Sequence, residues 1–290
     1  IPFIIGGIII LMIKPKITKE EMLSALDRSG YLLESEISKY LAQLGFFVES
    51  NQVIKDPITG KSREIDIVAE YYDHDDTLSK NQISAKVYHV LEIKNNLFPI
   101  VLLTESEFSP NIDKGESLKE IVTKPGNFEY ESYLGFYKEV FNENVLFNQY
   151  CSFHKKKEND ELMALHPDNI YDGLLKIVQY CEEETEKWSH ILGIYSEETN
   201  EFLSEYFRHF IYIPILLIND DLFELKIDET GKRKISKVDC SKLLFNYYYN
   251  GNPKMCMIFF VTKKGFPDLL RSLKKAQDNV SLLMLQSKSK

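Results

Sequence analysis

Between residues 31 and 44 the apolar positions Leu33, Ile37, Tyr40, Leu41 and Leu44 recur at helical spacing. This predicts an amphipathic helix stopped by Gly45. Just upstream, Thr18-Lys19-Glu20-Glu21 has the form of a capping box and predicts a shorter helix ending near Gly30. The period then changes. Residues 46–54 and 62–72 read as two strands of a hairpin around the turn-forming Asp56-Pro57-Ile58-Thr59-Gly60-Lys61. A polar loop over 73–84 leads to a third strand at about 86–94. Beyond Asn95 the pattern reads as irregular, acidic and mainly helical. A clear helix follows from an Asp168 cap to about Trp188, with Leu174, Ile177, Val178 and Cys181 on one face. Residues 210–218 and 255–262 are near-continuous apolar runs, the mark of buried strands. Between them, 222–227 and 233–238 read as a hairpin across Asp228-Glu229-Thr230-Gly231. A last helix starts near Pro267, a residue suited to a first turn.

These elements predict one α/β domain: a mixed central sheet flanked by helices, with extra C-terminal strands. Its core would be 14–100 plus 168–290, with 101–167 as an acidic, mainly helical insertion. The 290 residues, 44% of them hydrophobic, can bury a substantial core. The net charge of −9 is unevenly spread. Residues 231–290 carry thirteen Lys and Arg against three Asp and Glu, whereas 101–230 carry eleven against twenty-seven. The basic end is either a phosphate-facing surface or a solvated lysine-rich one. The acidic middle could receive a protein partner.

Four dispersed cysteines without a CxxC pair indicate ordinary thiols in a reducing, cytoplasmic compartment. Cys151 and His154 have ligand-like spacing, but no second pair completes a zinc site. Residues 1–13 are almost wholly apolar, yet too few to span a bilayer, which needs about 20. They are either the trailing end of a membrane helix, with Lys14 and Lys16 on the cytoplasmic side, or residues preceding a start at Met12.

The chemistry concentrates in Arg63-Glu64-Ile65-Asp66-Ile67 and His89-Val90-Leu91-Glu92-Ile93-Lys94. Glu92 and Lys94 are two apart, so on a strand they share a face while Leu91 and Ile93 point into a core. A carboxylate on one strand beside a carboxylate and a lysine on the next is a hard-oxygen site for Mg²⁺ or Mn²⁺. With a cation alongside, it suits in-line attack of water on a phosphodiester. The plain alternative is an Asp at a strand end and an exposed same-face pair worth under about 1 kcal/mol.

The order helix, strand, strand with Asp, strand with Glu-x-Lys, helix, strand resembles the PD-(D/E)xK nuclease superfamily, the restriction-endonuclease-like fold. The likeness covers about 30–95 well and 168–218 loosely, and Ile65 stands where the family name has Pro. The resemblance implies an endonuclease acting on DNA in restriction, defence or repair. Asp66 and Glu92 would hold the metal, and Lys94 would activate or orient water. Family members often add a helix Glu, eleven residues before the closing Gly, that contributes to the metal site. That spacing selects Glu34 over Glu36, although both flank the apolar stripe. Lys61 and Arg63, at the entry to the Asp strand, could touch the phosphate backbone. The rival reading is a catalytically inactive module of the same fold that binds nucleic acid or a protein.

Lys263-Lys264-Gly265, between a buried strand and a helix start, is a second candidate for phosphate. Residues 245–250, Phe-Asn-Tyr-Tyr-Tyr-Asn, offer aromatics for stacking on bases, or for packing. His89 is expected to be a buried core histidine, and Asp73-His74-Asp75-Asp76 a solvated acidic turn.

Overall fold

The computed structural model describes residues 16–55, 60–71, 82–107, 117–125, 145–197 and 201–288, with Ile4–Ile5, Ile8–Ile9, Leu78, Tyr130 and Val140. The expected turn at 56–59 and the Asp73-His74-Asp75-Asp76 loop lie outside these residues. Strands β1 (Ile4–Ile5) and β2 (Ile8–Ile9) pair only with each other. Helix α1 (Lys19–Ser29) begins at the predicted box: Glu21 N–H donates to Thr18 Oγ1, and Thr18 N–H to the Glu21 carboxylate. Gly30 both ends α1 and precedes α2 (Tyr31–Gln43), at φ +90°. A Cβ there would be strained by that φ and would meet Asn95 Cβ at 3.3 Å.

Strands β3 (Phe46–Lys55), β4 (Ser62–Tyr71) and β5 (Ile83–Lys94) form an antiparallel meander. Then come β6 (Ile100–Glu107), β7 (Lys119–Lys124), β8 (Val145–Lys155) and β9 (Leu162–Leu165). Helix α3 (Asp168–Leu192) leads through β10 (Ile194–Ser196) and β11 (Glu201–Leu203) to β12 (Phe207–Ile218). The chain closes with the β13 (Leu222–Ile227) and β14 (Arg233–Val238) hairpin, β15 (Cys240–Tyr249), β16 (Asn252–Thr262) and α4 (Phe266–Lys288).

All strands but β1 and β2 belong to one mixed sheet with β12 at its hub. Strand β5 runs parallel to β12 along its whole length, Ile83 opposite Phe207 and Lys94 opposite Ile218. On its other side β12 pairs first with β7, up to Tyr212, and then with β16, from Ile215. Pro214, which has no N–H to donate, falls in that switch. Helices α2 and α4 cover one face through Leu33, Ile37, Leu41, Leu269 and Leu273, packed with Leu91 and Ile93. Helix α3 covers the other with Leu174, Ile177, Val178 and Cys181 against Val68, Val90 and Leu216. The α/β class and the helix–sheet–helix layering therefore agree with the sequence reading. No helix among the described residues is long and apolar enough to cross a membrane.

Two expectations are corrected. The described part of 101–167 is mainly strand rather than mainly helical: it forms most of β6 together with β7, β8 and β9, with helical residues only at Ser117 and Val140. Glutamates such as Glu105 and Glu120 interrupt its apolar alternation, and pairing of β6 to β13 and β8 settles the conformation. Asp168 is the first helical residue rather than a side-chain cap, because Pro167 occupies the cap position. The aromatic run at 245–250 belongs to β15, with Phe245, Tyr247 and Tyr249 buried and Tyr248 exposed. It packs, which is the second of the two roles the sequence offered and not a correction.

Candidate functional site

Strands β4 and β5 are paired up to Ile67 opposite Leu91; the next residues are Asp66 and Glu92. There the ladder gives way to a side chain, as the Ile93 N–H donates to Asp66 Oδ2 at 2.7 Å. Lys94 Nζ meets Glu92 Oε1 at 2.6 Å, as two residues sharing a strand face should. The three residues singled out from sequence thus come together at the carboxyl end of β5, on the α3 side of the sheet.

Helix α3 supplies what the sequence reading missed. Lys176 Nζ lies 3.3 Å from Asp66 Oδ1 and also contacts Glu92 Oε2. No well-aligned N–H reaches that oxygen, so the second contact is an ion pair rather than a directed hydrogen bond. One ammonium therefore sits between two carboxylates. One turn earlier, Gly173 lets the helix approach: a Cβ on it would lie 2.8 Å from Glu92 Cγ and 3.0 Å from Oε1. The signal in the sequence was a Gly and a Lys three apart on an otherwise apolar helix stripe.

Glu34 enters from α2. Partial burial, followed by the charges of Asp66 and Glu92, pushes its carboxyl above the usual range, while Lys176 and Lys94 oppose the shift. It lines a cleft of 430 Å³ with Tyr31, Ser38, Lys39, Ser50 and Asp66. Glu36 points elsewhere, to Lys263 Nζ at 2.6 Å. The geometry therefore sides with Glu34, and Lys39 is a cleft cation that the sequence reading passed over. Around Asp66 and Glu92 the formal charges of Lys94 and Lys176 balance two carboxylates, and Glu34 adds a third.

The remaining candidates do not converge on this point. Lys61 just precedes β4 and Arg63 is its second residue, at the hairpin end of the strand. Lys263 lies on the same sheet edge as Lys94, since Lys94 and Thr262 both register with Ile218. Its proposed phosphate cradle is filled from within, however. The Lys263 N–H donates to Ile218 O, the Gly265 N–H to Thr262 Oγ1, and Lys264 Nζ pairs with Asp239 at 2.8 Å. His89 is buried as expected, hydrogen-bonded through Nδ1 to Ala69 O, and burial pushes its pKa down to about 4. A larger cavity of 610 Å³ is lined by Asp239 and Gly265 of the Lys263 cradle with Phe147, Cys240 and Leu269, but by none of Asp66, Glu92, Lys94 and Glu34, and its Glu224 accepts from the Ser241 hydroxyl.

Among the described residues, no group of three or more His, Cys, Asp or Glu is gathered tightly enough to hold a metal ion. The donor chemistry at Asp66 and Glu92 nevertheless fits a hard divalent cation. Mg²⁺ keeps several waters and needs only one or two carboxylates, and these two already share one cation-sized position. Comparison of the chain with protein-family models, curated proteins and solved structures gives no match.

Proposed function

We propose that the chain is a metal-dependent nuclease acting on DNA, with a restriction-endonuclease-like core. The observation that carries this reading is the meeting of Asp66, Glu92 and Lys94 at one strand end beside a cleft that Glu34 also lines. Asp66 and Glu92 would hold Mg²⁺ or Mn²⁺, which when bound polarises a phosphoryl oxygen and acidifies water. Lys94, steered by Glu92, would orient the attacking water or stabilise charge on the phosphate. Glu34, with its carboxyl held above the usual range, would take a proton at the cleft wall. Lys39 and Lys263 supply exchangeable positive charge near the cleft and on the same sheet edge; exposed ion pairs such as Lys263–Glu36 cost little to break.

The test is cleavage of plasmid and single-stranded DNA with Mg²⁺, Mn²⁺ or EDTA. The wild type should cut only with metal, and Lys94→Ala should lose at least about a hundredfold. Metal-independent cutting, or full activity in Lys94→Ala, would sink the reading. A second reading is favoured by one observation. The Lys176 and Lys94 ammoniums together already balance the charges of Asp66 and Glu92, as they would in a nuclease-fold module that binds without cutting. Absence of cleavage on every substrate, with DNA retained in a mobility-shift assay, would favour that module.

A further inference from the structure

Strands β8 and β15 run parallel but share a single rung, Phe147 opposite Leu243. Past that rung they part, and a cavity of 330 Å³ opens between them. His166, just before α3, and Tyr171, at the end of its first turn, also line it. Four of the lining residues carry aromatic rings, and these touch in series. The Tyr150 and His166 rings lie 4.6 Å apart at 46°, His166 and Tyr171 5.8 Å at 58°, and Tyr171 and Phe245 5.6 Å at 62°. Tyr150 and Phe245 are buried, whereas His166 and Tyr171 are exposed, so the cavity has two fixed walls and two that solvent reaches. The Tyr150 hydroxyl is buried with no hydrogen-bond partner among the described residues, although buried polar atoms almost always have one.

We infer that this cavity is an aromatic cage for a small quaternary ammonium cation of the choline class. The tilts select the shape of the ligand. Rings inclined to one another at 46° to 62° leave no parallel slot, so a flat nucleobase can stack on only one of them. A rounded trimethylammonium group meets several ring faces at once, and each attracts a cation. The surrounding charges select the sign. Among the described residues that line the cavity there is no Lys or Arg. Burial, then Tyr171, Asp168 and Asp172, push the pKa of the Tyr150 phenol up, so both carboxylates are felt at the cage. Two carboxylates outweigh the roughly half-unit positive charge that the α3 dipole places at this end. The lone pairs of the unpartnered Tyr150 oxygen add to the negative potential. A volume of 330 Å³ suits a small ligand, near the floor of the roughly 300–1,000 Å³ that binding pockets span. The cage shares no lining residue with the Asp66 cleft, and it requires no nuclease activity.

Titration calorimetry of the full chain with choline, and with its uncharged carbon isostere dimethylbutanol, tests the cage. Choline should bind saturably and at least about tenfold more tightly than the isostere. Tyr171→Ala should weaken choline about tenfold, while Tyr171→Phe should bind as wild type does, because the wall needs a ring and not a hydroxyl. Asp168→Asn with Asp172→Asn should weaken choline several-fold and leave the isostere unchanged. All three side chains are exposed, so these variants should keep the wild-type unfolding transition. Should Tyr171→Ala nevertheless not fold, the choline-to-isostere ratio and the double Asn variant decide the matter. Absence of saturable choline binding overturns the cage, and so does equal affinity for choline and the isostere. Undiminished choline binding in Tyr171→Ala or in the double Asn variant overturns it as well. Adenosine bound more tightly than choline would assign the cavity to a base instead.

Discussion

Helix α3 makes two lysine–carboxylate pairs with the sheet, and they are built differently. Glu182 takes Lys119 Nζ at 2.8 Å and the Tyr247 hydroxyl at 2.6 Å on one oxygen, with Lys119 and Glu182 both almost fully buried. One carboxylate, one ammonium and one hydroxyl close on each other, and nothing points to an opening. About a turn and a half earlier, Lys176 faces Asp66 and Glu92, Lys94 joins from β5, and Glu34 looks in from a cleft. This second group has more carboxylates than ammoniums and an edge that solvent reaches. A matched, sealed pair holds a helix to a sheet. An unmatched, open group has the capacity to exchange one cation for another, which a metal site requires.

The sharpest way to break the comparison is to remove each lysine. Lys119→Met should cost about 3–5 kcal/mol in urea unfolding, because Glu182 would remain buried without its counter-charge. Lys176→Met should cost about 1–2 kcal/mol, because Lys94 stays on Glu92 and Asp66 is partly hydrated. Equal losses would mean that the two groups are the same kind of structural pair.

The next effect in size concerns the close approach that seats Glu92. Gly173→Ala should destabilise by about 1–3 kcal/mol, as the added methyl forces Glu92 or the helix aside. Unchanged stability, read from the same unfolding curve, would show that the helix yields freely here. The open group would then be softer than its geometry implies.

Exchange itself can be measured. If the Lys176 ammonium occupies the position a divalent ion would take, Lys176→Met should bind Mn²⁺ about tenfold more tightly or better than wild type by calorimetry. Asp66→Asn should abolish binding in both backgrounds. Lys119→Met should leave Mn²⁺ affinity unchanged, which separates the two groups by function as well as by stability.

Much of this was legible from residues alone. The capping box at Thr18, the α2 stripe, the meander and the Glu92–Lys94 pair depend on local spacing, and local spacing survives folding. What escaped depends on partners distant in sequence. Lys176 is 110 residues from Asp66 and reads locally as a polar position on an amphipathic helix. Strands β6 to β9 carry acidic residues that break their alternation, and only pairing with distant partners makes them strands: β6 with β13, β7 with β11 and β12, β8 with β6 and β15, and β9 with β8. The filled cradle at Lys263 was hidden for the same reason: the atoms that fill it come from β12, from Asp239 and from Thr262.

The smallest effect tests whether the open group carries surplus negative charge. Burial and the neighbouring Asp66 and Glu92 raise the Glu34 carboxyl above its ordinary value of 4.5, so the folded chain binds that proton more tightly than the unfolded one. Stability linked to Glu34 is therefore greatest below the unfolded value and falls as pH rises through the folded one. Above that window the ionised Glu34 is a constant burden. Glu34→Gln should accordingly stabilise the chain at neutral pH, by no more than about 1 kcal/mol since the group is half-exposed and screened. The gain should shrink on acidification and vanish below about pH 4.5, where the unfolded-state Glu is itself protonated. Unfolding midpoints of the two proteins across that range check the sign. In the Lys176→Met background one cation is gone, the repulsion felt by Glu34 is larger, and the gain from Glu34→Gln should grow. A gain that is the same with and without Lys176 would mean that Glu34 does not feel the Asp66–Glu92 charge, and the open group would reduce to one more local ion pair.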